Sequence, residues 1–141
     1  MDNKLSHMSM IQDVVKRMAS NSFMLKGWAV TLVAGVFALA SKDVDKRYFL
    51  IAYVPIIAFW GLDSYYLLQG RLFRAIYEKV RNVESKNIDF NMKLSNMEIK
   101  ELNLLNKNKY TLSKCIFSKT EIVFYLPLAI LTLGIVVLTN L

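Results

Sequence analysis

The chain is poor in the residues that build most catalytic centres. It has one cysteine, Cys115, and one histidine, His7. A lone thiol closes no intramolecular disulfide, and a lone imidazole builds no histidine-based metal site. Five glycines leave little material for a phosphate-cradling loop, and no such loop, zinc-ligand spacing or nucleophile elbow occurs. These shortages speak against metal-dependent and triad catalysis, so the expectation is a chain that is not an enzyme and uses no cofactor. Proline is as scarce: Pro55 and Pro127 both fall inside long apolar runs. Each removes a backbone donor there, which predicts a static kink or a hinge.

What is present in excess is apolar side chain, 55% of 141 residues, with a mean hydropathy of +0.32. The length is that of one ordinary domain, and a bilayer is the simplest place for the excess. The 18 lysines and arginines against 11 acids leave a net charge of +7. In a membrane protein such an excess sets orientation and meets anionic lipid. The sharper reading is a polyanionic ligand.

Met8, Ile11, Val14, Val15 and Met18 recur at helical spacing with Asp13, Lys16 and Arg17 between them. This predicts an amphipathic helix over residues 1–20, lying on a membrane surface or packed on other helices. The stretch lacks the apolar core of a cleaved signal peptide, so the next apolar run is expected to stay in the mature protein. Ser20, Asn21 and Ser22 predict a break or cap. Phe23 to Ala40, Tyr48 to Leu68 and Glu121 to Leu141 are each long enough to cross a hydrocarbon layer. Between the first two, Ser41 to Arg47 predicts a tight turn.

Beyond Leu68 the apolar face continues through Leu72, Phe73, Ile76, Val80 and Val83, with Arg71, Arg74, Lys79 and Arg81 mostly off it. The second crossing is therefore predicted to run on as an amphipathic stalk. Ile88, Phe90, Met92 and Leu94 alternate with polar residues as in a half-buried strand, with Met97 and Ile99 opening a hairpin partner. The alternative is a short helix over Met97 to Leu105, and Asn106 to Tyr110 reads as a loop. The fold class is thus an all-α membrane protein with three transmembrane helices, an amphipathic N-terminal helix and a small cytoplasmic region of helix with or without a short β-hairpin. Its organisation is residues 1–20, a transmembrane hairpin over 21–69, a basic region over 70–120 and a third crossing over 121–141. The basic region carries eleven lysines and arginines against five acids. The positive-inside rule makes it cytoplasmic and puts the N-terminus inside.

Two constellations are candidates for function. In a hairpin centred on Val44 and Asp45, Lys26 and Asp63 reach the same depth. An unpaired charge at mid-membrane costs about 2.5–3.5 kcal/mol on insertion scales, which pairing relieves. The alternative is that Lys26 snorkels to headgroups while Asp63 meets interfacial water. Arg71, Arg74, Lys79 and Arg81 form the second. Lipid contact with an Arg74–Glu78 ion pair explains them, and so does a ring of positive charge that binds an anionic ligand in a symmetric oligomer. Trp28, Trp60, Tyr65 and Tyr66 read as an aromatic belt at the inner interface. Gly27, Thr31 and Gly35, with Ala34 and Ala38 beside them, form a small-residue stripe for helix packing, within one subunit or between subunits.

Three runs carry a resemblance: Met18-Ala19-Ser20-Asn21-Ser22-Phe23-Met24-Leu25-Lys26-Gly27-Trp28, Phe59-Trp60-Gly61-Leu62-Asp63-Ser64-Tyr65-Tyr66, and Phe117-Ser118-Lys119-Thr120. They resemble a family of small bacterial membrane proteins of antiphage defence loci, the membrane effectors of Hailong-type systems. The resemblance covers the membrane segments and their edges, about half of the chain, and includes no catalytic motif. It implies a homo-oligomer, expected to be a tetramer, in the bacterial inner membrane, which disrupts membrane potential when activated. It also implies a nucleotidyltransferase-like partner protein whose single-stranded DNA oligomers hold the effector closed. The expected function is a gated, ion-conducting or depolarising effector whose basic layer binds an anionic oligonucleotide. The competing expectation is a non-conducting anchor or assembly subunit, whose charge serves topology alone.

Overall fold

The computed structural model describes residues 2–39 and 47–140. The turn expected over Ser41 to Arg47, with its centre at Val44 and Asp45, lies outside them apart from Arg47. Among the described residues six α-helices follow in order: α1 (Asp2–Leu39), α2 (Tyr48–Ile51), α3 (Tyr53–Asn82), α4 (Asn96–Leu105), α5 (Leu112–Ile116) and α6 (Lys119–Asn140). Three stretches, Asn3–Leu39, Tyr48–Asn82 and Lys119–Thr139, are long and apolar enough to cross a membrane. The 22 residues of α6 rise about 33 Å, against a hydrocarbon thickness of about 30 Å.

The chain divides into two compact units, Met1–Asn21 with Tyr65–Cys115 and Ser22–Ser64 with Ile116–Leu141. In the first, Ile11, Ile76, Val80 and Leu94 are buried, with Met8, Leu72, Phe73, Met92 and Ile99 packed around them. The four-residue step from Ile76 to Val80 is the apolar face of the extended second helix, and α3 does continue to Asn82. In the second, Ala29, Val33, Ala52, Ile56 and Tyr125 are buried, and Phe37 lies 5.5 Å from Phe49 between ring centroids.

A separate amphipathic N-terminal helix is not formed. Ser20, Asn21 and Ser22 lie inside α1, which is unbroken from Asp2 to Leu39. Serine weakens a helix interior when its hydroxyl competes for local backbone. The Ser22 hydroxyl instead bonds the carboxylate of Asp63, and the break does not occur.

Pro55 is not a hinge in mid-helix either. It stands in the first turn of α3, where a missing N–H costs little. Its ring conflicts with the carbonyl four residues back, at Ile51, where α2 ends. Around that junction the chain makes tighter bonds, Leu50 N–H to the Arg47 carbonyl at 3.1 Å and Ala52 N–H to the Phe49 carbonyl at 3.2 Å. Pro127 does lie inside a helix, α6.

The β-hairpin is absent, since no strand occurs among the described residues. After a 3-10 turn at Ser85–Asn87, the segment to Leu94 is irregular, and its polar residues supply the bonds that a partner strand would have made. Asn91 N–H donates to Asp89 Oδ1 at 3.1 Å, and Lys93 N–H to Asn91 Oδ1 at 3.1 Å. Such side-chain turns alternate with residues that face the core, here Ile88, Met92 and Leu94. That period of two is what imitates a strand.

Helix α4 takes the place of the hairpin's second arm, and a capping box starts it. Ser95 Oγ accepts from Glu98 N–H at 3.2 Å, and Ser95 N–H donates to Glu98 Oε2 at 2.8 Å. The other Glu98 oxygen accepts from Lys79 Nζ at 2.5 Å. After α4 the backbone turns left-handed at Lys107 and Asn108, φ 52° and 61°, a conformation asparagine tolerates well, within the predicted loop.

The bond from Lys79, followed by those from Ser95, holds the Glu98 carboxyl at about 2, below its usual 4.5. A carboxyl depressed on folding stabilises the fold above the unfolded value, and that contribution fades as pH falls through the folded one. We expect Lys79→Met to return Glu98 toward 4.5 in a side-chain carboxyl NMR titration. Ser95→Ala should cost about 1 kcal/mol, read as faster amide exchange confined to α4. Unchanged exchange would show that the cap contributes nothing.

Candidate functional site

The most polar interior of the molecule lies in the second unit, where α1, α3 and α6 each contribute an ionisable side chain. Lys26 Nζ donates to Asp63 Oδ2, and lies 3.4 Å from Glu121 Oε1 and 3.1 Å from Ser22 Oγ. The Lys26 side chain is 15% exposed, and both carboxylates are 0% exposed. Ser22, four residues before Lys26 on α1, accepts from the lysine and donates to Asp63 Oδ1. Tyr125, four residues after Glu121 on α6, places its hydroxyl 3.0 Å from Asp63 Oδ2 and 3.3 Å from the Phe59 carbonyl. Both four-residue steps follow from the helical repeat, which puts i and i+4 on one face.

Aromatic rings wall the cluster. Lys26 Nζ sits 5.8 Å from the Phe124 ring centroid and 5.7 Å from that of Tyr125, within cation–π reach. Trp60 stacks on Tyr125 with centroids 5.8 Å apart and an interplanar angle of 7°. Its indole N–H donates to the Ile116 carbonyl at 3.1 Å. Trp60 thus serves the interior as well as any interfacial belt, whereas Trp28 is 58% exposed.

Hydrogen bonding within the cluster is uneven. Asp63 is met by three donors, Ser22, Lys26 and Tyr125. Glu121 has the longer contact to Lys26 through Oε1, while its buried Oε2 has no hydrogen-bond partner, and neither has the buried Ser118 Oγ one turn earlier. Two acids therefore share one ammonium.

Most basic residues of the stalk have partners within the chain. Arg71 Nη1 donates to the Lys109 carbonyl at 2.9 Å and to Cys115 Sγ at 3.4 Å, tying down the segment before α5. Lys79 is engaged by Glu98. Arg81 pairs with Glu78 at 3.6 Å, so Glu78 does not serve Arg74 as the four-residue spacing suggested. Arg74 is exposed and forms no ion pair among the described residues. Lys4 supports the end of α3, donating to the carbonyls of Arg81 at 3.2 Å and Val83 at 2.7 Å.

Glu121, Ser22 and Tyr125 are the members of the cluster that sequence reasoning missed. Glu121 stands at the edge of the third apolar run, where it reads as the boundary. The available signal was its depth: a third crossing that starts on the inner side begins level with Lys26 and Asp63. Among the described residues no group of three histidine, cysteine or acidic side chains could hold a metal ion.

Removing one member of a buried ion pair costs about 3–5 kcal/mol when the other charge is left behind. Lys26→Ala should thus be the most damaging change, because it strands two carboxylates. Asp63→Asn leaves one acid for the lysine, and Glu121→Gln leaves the better-bonded pair intact. Unfolding midpoints in mixed micelles should fall in the order Lys26→Ala, Asp63→Asn, Glu121→Gln. A Glu121→Gln loss as large as that of Lys26→Ala would contradict the shared-ammonium picture.

No family model, curated protein or solved structure matches the chain.

Proposed function

We propose that the chain is a membrane effector of bacterial antiphage defence, a homo-oligomer that conducts ions or depolarises the membrane and is regulated by an anionic oligonucleotide at its basic layer. The buried Lys26–Asp63–Glu121 cluster carries this reading. It lies on helices long and apolar enough to cross a bilayer. Ionisable groups there are expensive and mark ion pathways or switches by default. A buried ion pair adds little net stability over apolar packing, so stability alone does not account for the cluster.

The oligomer has a candidate face. A Cβ built at Gly27 or Gly35 would meet no atom of the described residues within 4 Å, so another helix can approach these two glycines closely. The charge bias of residues 70–120 supports a cytoplasmic N-terminus in the inner membrane. The resemblance to Hailong-type membrane effectors supplies the rest of the reading: a tetramer, and a nucleotidyltransferase-like partner protein making the DNA oligomer that holds the closed state. In that state Arg74 is the stalk side chain readiest to meet phosphate, with Arg71, Lys79 and Arg81 joining by exchanging their internal partners. Those internal partners are also what favours the second reading, a non-conducting anchor whose arginines and lysines stabilise its own fold.

Purified protein in liposomes should dissipate a potassium diffusion potential, and a short single-stranded oligonucleotide should suppress the leak. Its binding should weaken steeply with salt, as phosphate contacts do, and Arg74→Ala should reduce the salt slope by about one unit. Liposomes that hold their potential with and without oligonucleotide would favour the anchor and end the channel reading.

A further inference from the structure

We propose that the buried cluster is a site for one exchangeable monovalent cation, a proton or an alkali ion, taken up at the Glu121 carboxylate. The claim concerns binding only and stands whether or not the oligomer conducts. It starts from charge. Asp63 and Glu121 both contact Lys26, so when both acids are ionised one more positive charge neutralises the group. In a water-poor interior that imbalance is costly.

Hydrogen bonding says where the charge goes. Both Asp63 oxygens are engaged, one by Ser22 and the other by Lys26 and Tyr125. Glu121 Oε2 is buried with no partner although the residue is wholly enclosed. Its side chain points into the cluster, since Oε1 reaches Lys26. Ser118 Oγ, on the preceding turn, is also buried and without a partner. Carboxylate and hydroxyl oxygens are hard donors, which suit protons and alkali ions. A divalent ion would face the Lys26 ammonium with too few acids.

Occupancy has a structural consequence. Lys26 joins α1 to α3 through Asp63 and α1 to α6 through Glu121. A cation on Glu121 replaces the longer of these contacts and leaves Lys26 to Asp63, loosening the tie to α6. Lys26 on α1, Asp63 on α3 and Tyr125 on α6 are the charged and titratable groups facing Glu121.

The test uses full-length protein in micelles, with Trp28→Phe so that Trp60, stacked on Tyr125, is the reporter. Sodium and potassium are titrated against an organic cation at constant ionic strength, and protons are titrated separately with infrared detection. Alkali binding gives a saturable Trp60 change whose midpoint moves more than about tenfold in Glu121→Gln, the scale of losing one charged partner. Proton binding gives a carboxylic-acid band that Glu121→Gln removes, with Trp60 indifferent to sodium and potassium. Either result supports the site. If Glu121→Gln does not fold, the carboxyl band of wild-type protein labelled at glutamate replaces it. Wild-type protein with a flat alkali response and no such band from a buried glutamate overturns the proposal, as does a response that Glu121→Gln leaves unchanged. Liposome leakage is not a readout here, so a silent channel would leave this result standing.

Discussion

One ammonium shared by two carboxylates sets the terms for the membrane-length part of the molecule. Each of the three helices long and apolar enough to cross a membrane contributes a charged group to the cluster, and each such group is costly alone in hydrocarbon. Only the arrangement that puts Lys26, Asp63 and Glu121 at one depth relieves all three together. That requirement fixes the axial register of α1, α3 and α6 more tightly than apolar contact can. Lipid tails are as apolar as leucine and give helices little reason to associate.

The surrounding packing fits this division of labour. The buried apolar residues of this unit include two alanines, Ala29 and Ala52, which contribute close approach rather than bulk. The larger enclosed side chain, Tyr125, is amphipathic, with its ring on Trp60 and its hydroxyl on Asp63. Tyr53 repeats the pattern by donating to the Ala129 carbonyl at 3.1 Å. Phe23, Val54, Ile57, Val123 and Leu138 point outward, as suits side chains that lipid would cover. The other unit is built differently, with a periodic face on α3, a capped short helix and ion pairs at the surface.

Legibility in the sequence tracked how far each signal depended on neighbours. The three long apolar runs needed only length and hydropathy, and Lys26 with Asp63 needed only the assumption of a hairpin. The strand reading of residues 88–94 failed because side-chain turns from Asp89 and Asn91 have the same period as a pleated ladder. The break at Ser20 to Ser22 failed because a tertiary partner, Asp63, took up the serine that a cap would have used. In the basic stripe, Arg71 and Lys79 have partners far along the chain, at Lys109 and Glu98, which no local pattern announces.

The same four-residue pattern, serine followed three later by glutamate, starts two helices and ends differently. At Ser95 and Glu98 the box is closed, and the second carboxylate oxygen is still free to meet Lys79. At Ser118 and Glu121 the reciprocal bonds are not made, since Ser118 Oγ and Glu121 Oε2 both lack partners. A cap is worth about 1 kcal/mol, a contribution that the first turn of α6 forgoes. In water the cap and the lysine are compatible, as Glu98 demonstrates. At the start of α6 Glu121 Oε1 meets Lys26 while Oε2, the oxygen that could close the box, has no partner, and the first turn is left without its cap. The first turn of α6 is therefore tied to α1 by charge rather than closed by a cap.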